Sequence, residues 1–347
     1  MHAMKIGLVG YQGSGKSTLF HWLTGVAPDP ALAHTGQSAM APIPDARFEP
    51  LVKIYHPKKV THAAIELVDT PGLSRAHEGN AARMAMIREA GCLVFVVAAF
   101  DNTNPLADLR SFDEDLVLAD MEIVTNRIAR VEEQLKKPLP RPEHQALEHE
   151  HGTLKIVLAA MESGRPLRES HMTDEQQKVT RAFRLLSEKP RLLIVNTADD
   201  ESQPERFTSL STPDVPVLAV PAGLELELAK MSPADRADFV AEMGITTTDR
   251  DHLIRTLLTA SRQTTFFTAG EPEVRTWLLH EGGTALEAAD GIHTDLARGF
   301  IRAEVMTVAD LVRLGSEREI KAHHLLRQEP KDYVVKDDDI LLIRFSV

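Results

Sequence analysis

The sequence predicts an α/β protein: a P-loop NTPase domain with a mostly parallel sheet, an inserted antiparallel α-helical coiled-coil hairpin, and a small C-terminal α+β domain. Three observations predict it. The apolar run KIGLV leads straight into GYQGSGKST at 10–18 and then into an apolar-periodic stretch, which reads as strand, loop and helix. Runs suited to strands buried on both faces recur at AAIELVD, GCLVFVV, RLLIVN and VPVLAV. Between the third and fourth of the five sheet-type runs lies a long interval with helical periodicity alone.

In the first segment the helix STLFHWLTG is stopped by Gly25, and a Pro- and Ala-rich irregular stretch runs on to PIPD. From Ser111 the pattern changes. Val117, Met121, Val124, Ile128, Val131 and Leu135 alternate four and three apart, a heptad-like seam. After the breaker PLPRP the same spacing continues through Leu147, Leu154, Leu158 and Met161, with His151 at the intervening position. Two antiparallel arms on the order of 40 Å long account for this. A further helical pattern, TDEQQKVTRAFRLLSE, leads back to the sheet. The last eighty or so residues hold short strand-like runs, TTFFTA, VRTWLL, GFIRAEVM and DILLIRFSV, around the helix-like VADLVRLG. The expected division is 1–110 and 190–263 for the NTPase domain, 111–189 for the helical insertion and 264–347 for the C-terminal domain.

A chain of 347 residues can build two or three cores. Hydrophobic content of 43% and charged content of 26% are ordinary for a globular protein, and no run is long enough to cross a bilayer. MHAMKIGLVG enters a strand at once, without the features of a leader peptide, so a cytoplasmic, membrane-free protein is expected. A net charge of −12 argues against long-range attraction to bare nucleic acid. Sequence-specific DNA binding is therefore not expected, and any RNA must be met by a local patch. The single cysteine, Cys92 in GCLVFVV, reads as a buried strand thiol.

Gly10 to Ser17 fits G-x-x-x-x-G-K-[ST] in the context that gives the motif meaning. Its glycines let backbone N–H groups converge on phosphate oxygens, so Gly13, Ser14, Gly15, Lys16, Ser17 and Thr18 are the expected nucleotide contacts. Lys16 would neutralise the β- and γ-phosphates and Ser17 would offer its hydroxyl to Mg²⁺. Val-Asp-Thr-Pro-Gly at 68–72 supplies a second part: Asp69 for the Mg²⁺ shell and Gly72 for the terminal phosphate. Leu73 stands where a glutamine would orient the attacking water. Hydrolysis is then slow, uses another group, or depends on a partner; Ser74, Arg75 and His77 are the polar neighbours. Thr35 in AHTGQSA is the candidate to close over Mg²⁺, with an exposed loop threonine as the equal alternative.

Asn196 and Asp199 in RLLIVNTADD stand where an N-K-x-D guanine-reading sequence has its first and last residues, with Thr197 in place of the lysine. Pro221 and Gly223 stand where a Ser-Ala-Lys sequence would finish the base pocket, which weakens guanine specificity. His144, His149 and His151 do not share one helix face and read as a solvated surface, and KDDDI reads as an acidic turn. Arg275, Arg298 and Arg302 read as solvated or salt-bridged.

PIPDARFEPLVKIYHPKKV, LVLADMEIVTNRI, TFFTAGEPEVRTWLL, IHTDLARGFIRAEVM and DYVVKDDDILLIRFSV together give the chain a resemblance over nearly its whole length to the YchF or Obg-like ATPase family. The resemblance implies a nucleotide domain carrying a coiled-coil hairpin, a ubiquitin-like TGS domain, and hydrolysis tied to the ribosome and its rRNA. It also implies a hydrophobic residue at position 73. The chain departs from the family pattern in its P-loop, in DTPGL, in the shortened HEGNAAR and post-AAFDN loops, and in NTAD where N-x-x-E is typical. The expectation is a slow Mg²⁺-dependent purine nucleoside triphosphatase, monomeric, that switches with nucleotide. ATP follows from the family, GTP from Asp199, and a binding module with little turnover is the reading from another class.

Overall fold

A computed structural model of the chain describes residues 4–346 apart from 102, 165–166, 168–171, 202, 204, 209–210, 213–214 and 246. In chain order the first elements are β1 (Lys5–Val9), α1 (Lys16–Thr24), β2 (Gln37–Pro42), α2 (Phe48–Tyr55), β3 (Val60–Thr61), β4 (Ala64–Asp69), α3 (Asn80–Arg88) and β5 (Cys92–Ala99). Next come α4 (Pro105–Leu135), α5 (Arg141–Glu162), α6 (Asp174–Arg181), β6 (Arg191–Thr197), α7 (Glu205–Thr208), β7 (Val217–Val220), α8 (Ala222–Leu228), α9 (Pro233–Met243) and α10 (Arg250–Ala260). The remainder is β8 (Gln263–Ala269), β9 (Val274–His280), α11 (Ala285–Ile292), α12 (Thr294–Arg298), β10 (Phe300–Thr307), α13 (Val308–Leu314), α14 (Glu317–Ala322), β11 (Arg327–Glu329) and β12 (Asp339–Phe345). The described chain divides into two compact units, one of residues 5–39 and 67–248, the other of 1–4, 40–66 and 249–347.

The first unit is built on a sheet of order β2-β4-β1-β5-β6-β7. Strands β1, β5, β6 and β7 pair in parallel, with Val9 opposite Phe95, Ala98 opposite Asn196 and Asn196 opposite Val220. Strands β5 and β6 are buried along almost their whole length, as their unbroken apolar runs require in a sheet covered on both faces. Val9, Phe95, Val195, Ile87, Phe112, Leu116 and Leu73 close one core between sheet and helices. Each such side chain contributes roughly 1.5–3 kcal/mol by leaving water.

The helical arm begins at Pro105, six residues before the pattern change at Ser111. Asn104 caps it by accepting the Ala107 N–H, and proline suits the first turn because its missing donor is not needed there. At 31 residues α4 extends on the order of 46 Å. Val124, Ile128 and Val131 bury against Leu154, Val157 and Met161 of α5, with Val117, Met121 and Leu158 half-buried beside them, so the heptad-like seam is the helix–helix interface. The arm's base is fixed by Asp120. Fully buried, it accepts hydrogen bonds from Arg88 (2.6 Å) and from the backbone N–H and hydroxyl of Ser187 (both 2.8 Å).

The second unit holds a sheet of order β11-β10-β12-β8-β9-β3 with both parallel and antiparallel pairs. Two cores flank it, one around Phe266, Val305 and Leu341, the other around Phe48, Leu51, Phe267 and Leu311. Arg47 ties residues 40–66 to the C-terminal strands by binding Asp45 (2.6 Å) and the backbone carbonyl of Asp337 (2.6 Å) while lying over the Phe267 ring.

Candidate active site

The carboxyl ends of β1, β4 and β6 bring residues 10–18, 69–73 and 196–199 to one edge of the first sheet, where open α/β sheets place their ligands. The loop between β1 and α1 takes the conformation that only its glycines allow. Gly15 has φ of +92°, and a Cβ there would lie 2.0 Å from Asn196 Nδ2. That close packing has a purpose visible in the bonds: Asn196 Nδ2 donates to the Ser14 carbonyl (3.1 Å), and Asn196 Oδ1 accepts the Ala222 N–H (3.0 Å). Asn196 thus clamps the glycine loop to the segment that opens α8.

Lys16 is buried, and its ammonium donates to the Tyr11 carbonyl at 2.9 Å. Burial lowers its pKa to about 8, against the raising influence of the Asp69 carboxylate. Ser17 Oγ donates to Asp69 Oδ2 at 2.5 Å. The other oxygen, Asp69 Oδ1, is buried without a hydrogen-bond partner among the described residues, as is Ser14 Oγ. Burial raises the Asp69 pKa, opposed by the Ser17 hydrogen bond and the Lys16 charge. A buried carboxylate oxygen left unpaired beside a hydroxyl is an oxygen-only donor set that suits a hard divalent cation. These residues fit Mg²⁺ between Ser17 and Asp69.

Gly72 is also closely hemmed in. A Cβ there would lie 2.9 Å from Gln12 N, Gln12 Cα and Lys16 Nζ, so only glycine leaves the loop ends this near one another. The next residue turns away: Leu73 is fully buried in the sheet–helix core, and its backbone is held by Leu73 N–H to the Gly10 carbonyl and Gln12 N–H to the Leu73 carbonyl, both 3.0 Å. Thr35 is exposed and its hydroxyl bonds its own loop, to the Leu32 carbonyl at 3.5 Å; the adjoining Gly36 lies against Asp69. Gly13 and Thr18 lie in the same loop-and-helix start.

Asp199 is brought beside residues 221–224, where its Oδ1 accepts the Leu224 N–H at 3.1 Å. A cavity of about 760 Å³ opens there, lined by Thr197, Asp199, Pro221, Leu224, Phe239 and Met243. Its size and mixed lining suit a small ligand.

The site also grips the arm, through residues that sequence reasoning missed. Tyr11 donates to Asp115, Arg75 binds Asp108 (2.5 Å) while lying over the Tyr11 ring, and His77 Nδ1 lies 3.3 Å from Asp115. These contacts span up to 104 positions, and only the spacing of Asp108, Phe112 and Asp115 on one helix face hinted at them. Residues set aside as bland have local partners: His144 with Glu148, His149 with Glu175, His151 with Glu132, Arg298 with Asp295, and Arg302 with Glu304. Cys92 is buried in β5, which pushes its thiol up to about 12.

Residues 5–138 match the family model described as 50S ribosome-binding GTPase, and residues 263–346 match the YchF-GTPase C-terminal model, described as a protein of unknown function. The Ribosome-binding ATPase YchF of Bacillus subtilis is 33% identical over 99% of this chain and 100% of its own length. Obg-like ATPase 1 of Oryza sativa subsp. japonica is 33% identical over 99% of this chain and 92% of its own. The YchF GTPase structure from Schizosaccharomyces pombe superposes with a TM-score of 0.84, covering 99% of this chain and 98% of that one at 23% identity, which shows a shared fold. Together with the P-loop and the aspartate opposite it, these similarities establish that the chain belongs to the YchF and Obg-like ATPase family of P-loop NTPases.

Proposed function

We propose that the chain is a Mg²⁺-dependent purine nucleoside triphosphatase of slow intrinsic rate that works on the ribosome as a nucleotide switch. The observation that carries the reading is the unpaired, buried Asp69 Oδ1 beside the Ser17 hydroxyl and the Lys16 ammonium. In this reading the backbone amides from Gly13 to Thr18 and the Lys16 charge hold phosphate, Ser17 and Asp69 hold Mg²⁺, and Thr35 closes on it. Gly72 meets the terminal phosphate, and Leu73 fixes the loop from within the core. The cation, when bound, neutralises charge that builds on the phosphoryl oxygens. The chain's own part is positioning and preorganised electrostatics. Asn196 holds the glycine loop in shape, and Asp199 faces the base in the adjoining cavity. Residues 5–39 and 67–248 hold the nucleotide domain and the arm that starts at Pro105, and 264–347 belong to a TGS domain, in a cytoplasmic monomer. The names of the relatives, Ribosome-binding ATPase YchF and Obg-like ATPase 1, support the ribosome as partner and ATP as substrate.

Lys16→Ala and Asp69→Ala should each abolish Mg²⁺-dependent turnover, and Lys16→Ala should also weaken nucleotide binding; unchanged turnover in both would overturn the reading. Asp199 favours GTP as a second reading. Titration with fluorescent ATP and GTP analogues, repeated on Asp199→Glu, separates the two: tighter GTP binding lost in the variant makes the chain a GTPase. Co-sedimentation with ribosomes that ignores nucleotide, without turnover, would make it a binding module.

A further inference from the structure

The five residues that follow Gly72 present no uncommitted side chain to orient an attacking water. Leu73 is sealed in the core. The Ser74 N–H is held by Asn80 Oδ1 (2.9 Å) and its hydroxyl accepts the Ala76 N–H (3.2 Å). Arg75 and His77 are taken up by Asp108 and Asp115 of α4. Gln12 differs from all of these. It is exposed, and its carboxamide makes no hydrogen bond among the described residues. Its backbone is nevertheless fixed by the N–H bond to the Leu73 carbonyl.

Its position is also the right one. The Cβ that would lie 2.9 Å from Lys16 Nζ at Gly72 lies the same distance from Gln12 N and Cα, so the Gln12 backbone, Gly72 and the Lys16 ammonium converge. The ammonium, by its charge, sets the place of the terminal phosphate. A glutamine side chain reaches roughly 5 Å from its Cα and ends in one acceptor and two donors, the pairing that holds a water against a phosphoryl oxygen. Resting on the function proposed above, we infer that Gln12, within the glycine loop itself, is a catalytic residue that orients the attacking water. Its Oε1 accepts a hydrogen bond from that water and aligns it with the terminal phosphorus. The water oxygen forms the new bond, and the bond to the bridging oxygen breaks with its electron pair going to the diphosphate. The water's protons pass to the released phosphate and to solvent. Gln12 itself neither gains nor loses a proton.

The full chain, its Gln12→Ala and Gln12→Asn variants and Lys16→Ala provide the test, with Mg²⁺ and the purine nucleotide that binds the tighter. Three quantities are read: affinity for the fluorescent triphosphate analogue, single-turnover rate, and retention of the labelled diphosphate induced by aluminium fluoride. Gln12→Ala should lower the single-turnover rate at least tenfold and lose the fluoride-induced retention, with triphosphate affinity within about threefold of the parent. Gln12→Asn, one methylene short, should fall between. A Gln12→Ala chain with parental rate and retention overturns the inference, as does one whose only change is weaker triphosphate binding. If Lys16→Ala keeps parental affinity and turnover, the failure belongs to the proposed function. A parent that binds triphosphate yet neither turns it over nor retains diphosphate with fluoride overturns both.

Discussion

The Tyr11 hydroxyl donates to Asp115 Oδ2 at 3.2 Å, joining the second residue of the glycine loop to the third turn of the arm's long helix. His77 approaches the other oxygen of the same carboxylate, and Arg75 spans Asp108 and the Tyr11 ring. Burial and the Asp115 charge push the Tyr11 hydroxyl well above its usual range, so it stays a donor at any working pH. The loop that follows Gly72 therefore rests on α4 through groups that also touch the glycine loop. Any rearrangement at Gly72 must strain or release these bonds.

Replacing Asp115 by alanine should release Tyr11 and His77 together. We expect a loss of about 1–2 kcal/mol, as for a partly buried bond to a charged acceptor. Amide hydrogen exchange should quicken jointly in residues 73–79 and 105–116. Exchange that quickens in the helix alone would mean that the loop does not depend on it.

Asp120 makes the second anchor and a stronger prediction. Its carboxylate is fully buried, and Arg88, on the helix that leaves the Gly72 loop, is its main charge partner. Asp120→Ala leaves a largely buried guanidinium unpaired and should cost roughly 3–5 kcal/mol, seen as a shift in urea midpoint. Arg88→Met with Asp120→Leu should recover much of that loss, because an apolar pair requires no partner. If the double variant is no better than Asp120→Ala, the cost lies in the lost Ser187 bonds instead.

Much of this was legible in the sequence for a physical reason. A loop that wraps phosphate needs glycines at fixed offsets, and a helix–helix seam needs apolar residues at heptad spacing, so Gly10–Ser17 and Val124–Val131 are read locally. What stayed hidden depends on partners far along the chain. Asn104-Pro105 looks like loop until its capping bond is seen. Leu73 reads as a missing glutamine, whereas its burial shows that the position faces the core. Asn196 reads as a base contact, yet both ends of its amide are spent on Ser14 and Ala222. Arg47 and Asp337 are 290 positions apart, and no local pattern links residues 40–66 to the C-terminal strands.

The lowered pKa of Lys16 makes nucleotide binding sensitive to alkaline pH. In the free chain the ammonium loses its proton around pH 8; a bound polyphosphate favours the charged form and raises that value. Binding above pH 8 should then take up a proton, and affinity should fall as pH rises from 8 towards 10. Calorimetry of ADP binding in EDTA, in buffers of different ionisation heat, checks the sign without a metal on Ser17 and Asp69. Proton release, or no proton change, at pH 8.5 would contradict it.

Asn196→Asp isolates the clamp from base recognition. The substitution keeps the acceptor for Ala222 N–H but places an oxygen where Nδ2 donates to the Ser14 carbonyl, so attraction becomes repulsion next to Gly15. The glycine loop should open, with about 1–3 kcal/mol lost from stability, the range for a buried polar group left unsatisfied. Affinity for diphosphate and triphosphate should fall alike, because the loop's amides grip phosphates common to both. A base contact would behave otherwise: affinity for the preferred purine would drop towards that of the other, and stability would hold. Thermal melts of the nucleotide-free chain, with fluorescent ADP, ATP and GTP titrations, distinguish the two. A variant that melts with the parent and merely loses purine preference would return Asn196 to the base.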